Sequence, residues 1–393
     1  MTEFQRDIFS LIKSAVFSAP VKISKDFDWG KAVKLGLNHK ILPLLYYGAH
    51  NSGINIPDEI EESLLVLVTR YLITSEQQLQ DLDKIKNLFN KANIKYMPLK
   101  GSVLKSYYPR PELRPMGDID ILIDLDQLDK ISECMAAIGY VEEKTSDHEI
   151  KWFKGERLIE LHKRLIPSYN VDFYNYFGDG WKLAKPVSEG SNVYELSCEN
   201  AFIYLFTHFA KHYRDAGIGI LHLVDLLVFT DRHKNLDLAF VKREIKKLGL
   251  YEFYINVMFT LGVCFSGAKA TDISDHIINK IFESGSYGNL KTQILSTEVK
   301  STKNVKHKRF MRFTLFLKRV FMPYRGMCNR HKILKKLPFL LPFFWIFRIF
   351  SVLLFKRKNI KIELNYLKAS DAESILNYYE DLKLVGLDFN FDE

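Results

Sequence analysis

The sequence predicts an α+β fold: a small mixed β-sheet core flanked by an N-terminal and a C-terminal helical region. Three observations predict it. Helical periodicity dominates the first 92 residues, short apolar strands alternate with helices over 93–198, and amphipathic helices return from residue 199. Of the 393 residues, 47% are hydrophobic and 26% are charged, so the chain can build a packed core, and global disorder is excluded.

The N-terminal region, 1–92, is expected to be mostly helical. Residues 5–18 and 29–50 have the spacing of amphipathic helices, and Asp28 is placed to cap the second. A third, long helix is predicted over 58–92, because Pro57 stands where a first helical turn tolerates proline.

Short alternating elements predict a compact α/β unit over 93–198. Gly155 marks the turn of a hairpin between two strand-like runs. The predicted elements are a strand at 94–101, a helical turn at 102–108, a proline-rich loop at 109–117, a strand at 118–124, a helix at 125–140 and hairpin strands at 149–155 and 157–165.

Helices return in a third segment, 199–299, and a basic, apolar C-terminal region with an acidic tail follows over 300–393. The third segment is expected to lie on the substrate side of the sheet. Its predicted helices cover 199–213, 220–233, 237–250 and 251–265.

The net charge of +9 conceals a strong asymmetry. Residues 300–362 hold 18 Lys and Arg and no Asp or Glu, whereas the rest of the chain holds 38 basic and 47 acidic residues. Such a segment favours an anionic partner, and phospholipid, nucleic acid and a phosphorylated substrate are all left open. The alternative is a solvated basic face that balances the acidic body.

Residues 337–355 are apolar and almost long enough to span a bilayer. Arg348 and two prolines oppose insertion, which leaves three interpretations: a buried helix, an interfacial helix on an anionic leaflet, or a single span.

The four cysteines are far apart, which excludes a disulfide scaffold and a thiolate zinc ribbon. We expect a cytoplasmic protein, with peripheral membrane contact through 300–362 as an open alternative.

The strongest chemical signal is a pair of acids two residues apart. Asp118 and Asp120 lie on one predicted strand and therefore project from the same face. Two carboxylates so close repel each other unless a cation bridges them, and Mg²⁺ prefers carboxylate and phosphate oxygens. Glu160, in a later strand-like run, becomes a third ligand if its strand lies beside the first. Three carboxylates are enough to hold two ions.

A candidate phosphate site precedes these acids. Lys100, Gly101 and Ser102 stand at a predicted strand-to-helix turn, where glycine allows backbone N–H groups to approach a phosphate. Ser102 offers a hydroxyl donor and Lys100 a charge. Arg114 is a further phosphate candidate.

The order of these motifs resembles the polymerase-β-like nucleotidyltransferase superfamily, and more closely its family of uncharacterised bacterial nucleotidyltransferases. The resemblance rests on Leu-Lys-Gly at 99–101, Asp-Ile-Asp at 118–120, Ile-Glu-Leu-His at 159–162, the run from His208 to His212, and Leu-x-x-x-Asp at 221–225. It implies transfer of a nucleotidyl group from an NTP, such as ATP, to a hydroxyl of an unidentified small molecule, sugar, peptide or protein.

The resemblance also implies roles for individual residues. Asp118, Asp120 and Glu160 would be catalytic metal ligands for two Mg²⁺ ions. The nucleotide-binding residues would be Lys100, Gly101, Ser102 and Arg114.

Four further residues are candidates for the substrate side. His162 shares a strand face with Glu160 and is placed to orient a carboxylate or to cap the strand. His208, Lys211 and His212 lie on one helix face, which suits phosphate, acceptor or metal, or is simply a polar face.

Three other functions are alternatives for this sequence. The first is an inactive scaffold that binds membrane or nucleic acid through 300–362. The second is a kinase, although this sequence lacks a convincing glycine-rich phosphate loop. The third is an antitoxin-type transferase, although members of that class are usually much shorter than this chain.

Overall fold

The computed structural model describes residues 1–286, 288–289, 292–293, 295–296, 324, 327, 331–335, 337–347 and 372–388. The chain divides into two compact units. The first comprises Met1–Tyr213 and Gly217–Gly288, and the second comprises Arg214–Ala216 and Asn289–Glu393. The fold is mixed α+β, as the sequence predicts. The finer division at residues 92, 198 and 299 remains a prediction.

The N-terminal helices are α1 (Glu3–Phe17), α2 (Trp29–His39), α3 (Leu42–Asn51) and α4 (Asp58–Lys91). Asp28 caps α2 by accepting a hydrogen bond from the backbone N–H of Lys31 at 2.8 Å. The prediction of one helix over 29–50 is wrong. The chain breaks at Lys40, whose φ of +58° is left-handed, and α3 starts anew with Pro43 in its first turn.

Helices α1 and α3 pack with their backbones in close contact at Gly48. A Cβ atom on Gly48 would lie 2.0 Å from the carbonyl oxygen of Leu11 on α1. Neither backbone can move without separating the helices, so glycine is required at this crossing.

We expect Gly48→Ala to lower the free energy of unfolding by about 1–3 kcal/mol, because the added methyl group forces α1 and α3 apart. The measurement is urea denaturation followed by circular dichroism. Gly30→Ala on α2 is the matched control, since its Cβ would meet only Asp28 Oδ1 at 3.4 Å. The control should be neutral or stabilising by up to about 1 kcal/mol; equal losses in both variants would contradict the packing argument.

The central sheet has five strands in the order β1-β2-β5-β4-β3. Strands β2 and β5 are parallel, and the other neighbouring pairs are antiparallel. The strands are β1 (Tyr96–Pro98), β2 (Ile119–Ile123), β3 (Val141–Thr145), β4 (Glu149–Lys154) and β5 (Arg157–His162), and a two-stranded sheet follows with β6 (Ala184–Pro186) and β7 (Tyr194–Leu196).

One face of the sheet is buried in an apolar core. Ile119, Ile121 and Ile123 of β2 point into it and pack with Phe89 of α4 and Trp152 of β4. Because side chains alternate along a strand, the intervening Asp120 faces the opposite side. The alternation predicted for 118–124 thus divides the sheet into a core face and a functional face.

Among the described residues, eight further α-helices of the first unit follow α4 in the chain. They are α5 (Gly101–Leu104), α6 (Leu128–Ala137), α7 (Val171–Phe177), α8 (Cys198–Asp215, whose last two residues belong to the second unit), α9 (Ile220–Arg232), α10 (Leu238–Lys247), α11 (Tyr251–Phe265) and α12 (Asp272–Ser284).

In the second unit, the described residues include helical residues 341–347 and the C-terminal helix Ala372–Leu384. The expectation of an anionic partner for 300–362 rests mostly on residues outside the described ones. Of the segment 337–355, predicted to be a buried, interfacial or spanning helix, residues 337–347 are described and 348–355 lie outside the described residues. Among the residues that are described, no helix is both long and apolar enough to cross a bilayer.

Candidate active site

Two carboxylates stand side by side on the functional face of the sheet. Strands β2 and β5 run parallel with Asp120 directly opposite Glu160. Both side chains are largely buried, with 5% and 8% of their residues' surface exposed. Asp118, one residue before β2, lines the same cleft. The parallel pairing of two distant strands therefore brings the three acids together.

The three acids line a cleft of about 580 Å³, which lies between the sheet, the loops beside it and helices α8 and α9. Most of the residues predicted for the site line it. They are Lys100, Gly101, Arg114, Asp118, Asp120, Glu160, His162, His208, Lys211 and His212. Ser102 is the exception: its hydroxyl donates to the backbone carbonyl of Asp120 at 3.3 Å.

Asp120 is held between two donors. Lys100 Nζ lies 3.0 Å from Asp120 Oδ1, and His162 Nε2 lies 2.5 Å from the same oxygen. Burial alone would raise the pKa of Asp120, but the charge of Lys100 and the two hydrogen bonds hold it below its usual range. Asp120 is therefore a fixed, fully ionised group.

The other two acids are less stabilised as anions. Burial, followed by the charge of Asp120, raises the pKa of Asp118 to about 6. Burial also raises the pKa of Glu160 to about 7, although Lys151 donates a hydrogen bond to Glu160 Oε1. A cation near these two groups would favour their ionised forms.

The turn that carries Lys100 has unusual geometry. Lys100 has a φ of +45° and directly precedes the short helix α5. A Cβ atom on Gly101 would lie 2.5 Å from Arg114 Nη1 and 2.7 Å from Met116 Sδ, so glycine is needed for this close approach. The Lys-Gly-Ser turn is thus packed tightly against the loop that leads to Asp118.

Arg114 is tied to helix α9. Its Nε and Nη2 atoms bind the two carboxylate oxygens of Asp225 at 3.1 and 2.8 Å, and Tyr108 Oη donates to Asp225 at 2.9 Å. This paired geometry fixes the guanidinium at the wall of the cleft.

Three histidines of α8 and α9 line the cleft. The ring centroids of His208 and His212 are 4.3 Å apart, and those of His212 and His222 are 6.3 Å apart. Burial lowers the pKa of His208 and His212 well below the usual value and lowers that of His222 to about 4. All three imidazoles are therefore neutral near pH 7.

Several residues that line the cleft were not predicted from the sequence. Lys40 reaches it from the junction of α2 and α3, and His148, Glu149 and Lys151 reach it from the start of β4. Glu149 and Lys151 alternate with apolar residues in the predicted strand, and that alternation was the available signal. Nothing local marks Lys40.

The donor set at the centre of the cleft suits a divalent metal ion. Asp120 and Glu160 each offer a carboxylate oxygen, and these two oxygens lie within 4.8 Å of each other. Two carboxylates that share a buried cleft are a common arrangement for a hard cation. The chemistry of these residues therefore fits the metal that the resemblance implies.

A family described as uncharacterised nucleotidyltransferase matches residues 25–266, which is more than half of the chain. The chain belongs to this family. The family's match extends from before α2 to the end of α11, so it covers every residue named above as lining the cleft.

A similar solved structure is the solution structure of the antibiotic-resistance factor ANT(2'')-Ia. The likeness covers 44% of this chain and 95% of that chain, with 14% sequence identity and a TM-score of 0.32. No curated protein matches the chain.

Proposed function

We propose that the protein transfers a nucleotidyl group from an NTP to a hydroxyl of a small molecule, sugar, peptide or protein, in a Mg²⁺-dependent reaction. The observation that carries the proposal is the placement of Asp120 opposite Glu160, with Asp118 in the same cleft. Membership of the nucleotidyltransferase family supports it.

Asp118, Asp120 and Glu160 would hold the metal. When bound, Mg²⁺ supplies a Lewis acid that polarises the phosphate under attack and lowers the pKa of the acceptor hydroxyl. Lys100 and His162 keep Asp120 ionised and correctly oriented for that role. The contacts that keep Asp120 ionised thus agree with the metal-ligand role that the family resemblance implies for it.

The rest of the cleft would bind the triphosphate and the acceptor. Lys40, Lys100 and Lys211 supply positive charge around the carboxylates, and Gly101 lets the turn pack directly against Arg114 in the cleft wall. We place His208 and His212, as neutral donors or acceptors, on the acceptor side.

Glu160 is the candidate general base. Its carboxylate lies directly opposite Asp120 in the same cleft, and the alternative is Asp120 acting through a bound metal. The acceptor hydroxyl passes its proton to Glu160 while its oxygen attacks the α-phosphorus and pyrophosphate leaves on the opposite side.

The primary test is NTP binding measured by calorimetry with a non-hydrolysable analogue, with and without Mg²⁺. We expect binding that requires Mg²⁺ and is lost in the Asp118→Asn/Asp120→Asn double variant. Asp129→Asn, an exposed carboxylate on α6, is the matched control and should bind like the wild type. If folded wild-type protein binds none of the four NTPs, the proposal is wrong and the scaffold alternative is favoured.

The raised carboxyl pKa values predict a pH-dependent response to Mg²⁺. Glu160 binds its proton more tightly in the folded state, so metal-free stability falls as pH rises from about 4.5 to about 7. Mg²⁺ must displace that proton at low pH but not at high pH. We expect the melting temperature to rise with Mg²⁺ more at about pH 8 than at about pH 5.5.

The measurement is a thermal scan at several pH values, with Glu160→Gln as the matched variant. In Glu160→Gln the pH dependence of the Mg²⁺ effect should weaken, because, of the two carboxyl groups Asp118 and Glu160, only Asp118 is left to exchange a proton in this pH range. A Mg²⁺ effect that is independent of pH in the wild type would contradict this assignment.

A further inference from the structure

A second group of metal-ligating side chains lies at the edge of the cleft, on the side of His162 away from Asp120. It consists of His148, Glu149 and His162, whose ligand atoms lie within 4.8 Å of one another. Glu149 of β4 is directly opposite His162 of β5 in the sheet register, and His148 immediately precedes β4. The antiparallel pairing of β4 and β5 therefore holds all three residues together.

The spacing of the two imidazoles matches that of two ligands on one metal. His162 Nδ1 lies 3.2 Å from His148 Nε2, and the ring centroids are 4.7 Å apart. Two nitrogens bound tetrahedrally to Zn²⁺ at about 2.0–2.1 Å are separated by about 3.3 Å. His148 Nε2 is also 4.0 Å from Glu149 Oε2, so a carboxylate oxygen stands beside the pair.

The neighbouring contacts orient the ligands as metal sites require. His162 uses Nε2 to contact Asp120, which leaves Nδ1 facing His148. A histidine ligand whose other nitrogen donates to a carboxylate is the usual arrangement around zinc. Lys151 binds Glu149 Oε1 at 3.1 Å, and the other oxygen faces His148.

We propose that His148, Glu149 and His162 form a transition-metal site that binds Zn²⁺, separate from the Mg²⁺ site of Asp118, Asp120 and Glu160. Two imidazoles and one carboxylate suit Zn²⁺, whereas Mg²⁺ strongly prefers oxygen ligands. The His162 ring lies between the two sites. Zn²⁺ on Nδ1 would fix this ring and thereby the position of Asp120, so the metal acts as a positioning element.

The test is titration of the full-length, chelator-treated protein with Zn²⁺ in the presence of excess Mg²⁺, followed by calorimetry. Co²⁺ serves as a spectroscopic probe, because tetrahedral coordination gives visible absorption bands. We expect one Zn²⁺ per chain, and an affinity loss of about 100-fold or more in His148→Ala and in Glu149→Gln. X-ray absorption of the zinc-bound protein should show two imidazole ligands.

Two variants separate this proposal from its rivals. His50→Ala removes a histidine that pairs with Glu61 on the surface, at 3.1 Å, and should bind Zn²⁺ like the wild type. Glu160→Gln should also retain Zn²⁺ affinity; a large loss there would place the ion among the catalytic carboxylates and overturn the proposal. Absence of stoichiometric binding, or unchanged affinity in His148→Ala, would mean that the two imidazoles form only a hydrogen bond.

Zn²⁺ binding is measured without nucleotide, so this test does not depend on nucleotidyl transfer. Asp118→Asn should abolish Mg²⁺-dependent NTP binding yet leave Zn²⁺ binding intact, because Asp118 is not among the three zinc ligands. Failure of the zinc proposal and failure of the proposed function are therefore distinguishable in one set of proteins.

Discussion

Asp120→Asn should reduce nucleotidyl transfer by about 10³-fold or more, which corresponds to about 4 kcal/mol of transition-state stabilisation. Asparagine keeps the shape of the side chain but removes the charge that pairs with Lys100 and that would hold the metal. Asp120 is 5% exposed, so no solvent ion replaces that charge easily. The measurement is pyrophosphate release from NTP, with water accepting the nucleotidyl group when no acceptor is known.

The same substitution at Asp129 provides the control for this experiment, because that carboxylate is exposed on α6 and lies outside the cleft. Circular dichroism and melting temperature check that the Asp120 variant is folded. Asp118→Asn keeps the test decisive if the Asp120 variant unfolds, since Asp118 is less buried and lies before the strand. Wild-type turnover in folded Asp118→Asn and Asp120→Asn proteins would refute the metal-carboxylate mechanism.

Asp225→Ala should cause a large loss of stability, about 3–5 kcal/mol in the free energy of unfolding. Asp225 is 1% exposed and accepts hydrogen bonds from Arg114 and Tyr108. Removing it leaves the largely buried guanidinium of Arg114 without its counter-ion, which costs more than the lost hydrogen bonds alone. Urea denaturation at equilibrium measures the effect.

Tyr108→Phe is the matched control, because it removes one hydrogen bond to Asp225 and leaves the ion pair intact. Its cost should be about 1 kcal/mol. The double variant Arg114→Met/Asp225→Leu should be more stable than Asp225→Ala, since neither charge is then left unpaired. Equal stability losses for Tyr108→Phe and Asp225→Ala would contradict the assignment of a buried ion pair.

The parts of the fold that were predictable are those with a strong local pattern. The periodicity of α4, the cap at Asp28 and the alternation in β2 all depend on near neighbours in the chain. The Asp-x-Asp strand and the Glu160 strand were predictable as strands, whereas their adjacency entered only as the condition under which Glu160 joins the two aspartates. The structure places Asp120 opposite Glu160 in register.

The parts that were missed have weak or conflicting local signals. Strand β3 is fully exposed, and its sequence, Val-Glu-Glu-Lys-Thr, lacks an apolar face; backbone pairing with β4 holds it in the sheet. The break at Lys40 needs a left-handed lysine, a conformation that the residue type does not favour. Packing of α2 and α3 against other helices overrides the local preference.

Within the site, pairings between distant segments were the hardest to predict. Asp225 accepts hydrogen bonds from Arg114 and Tyr108, which lie more than 100 residues earlier in the sequence. The contact of His162 with His148 likewise depends on the hairpin register of β4 and β5. Residue types alone do not specify such a partner when several charged groups compete for it.

The link between Arg114 and Asp225 has a consequence for the order in which the protein matures on the ribosome. The carboxylate strands emerge early, but the guanidinium beside them has no counter-ion until α9 has been synthesised. A nascent chain that ends before residue 225 therefore carries the three acids without a closed cleft. The wall of the cleft is complete only when α9, and Ser286 after it, have been synthesised, so we expect a chain truncated before α9 to lack a formed binding cleft.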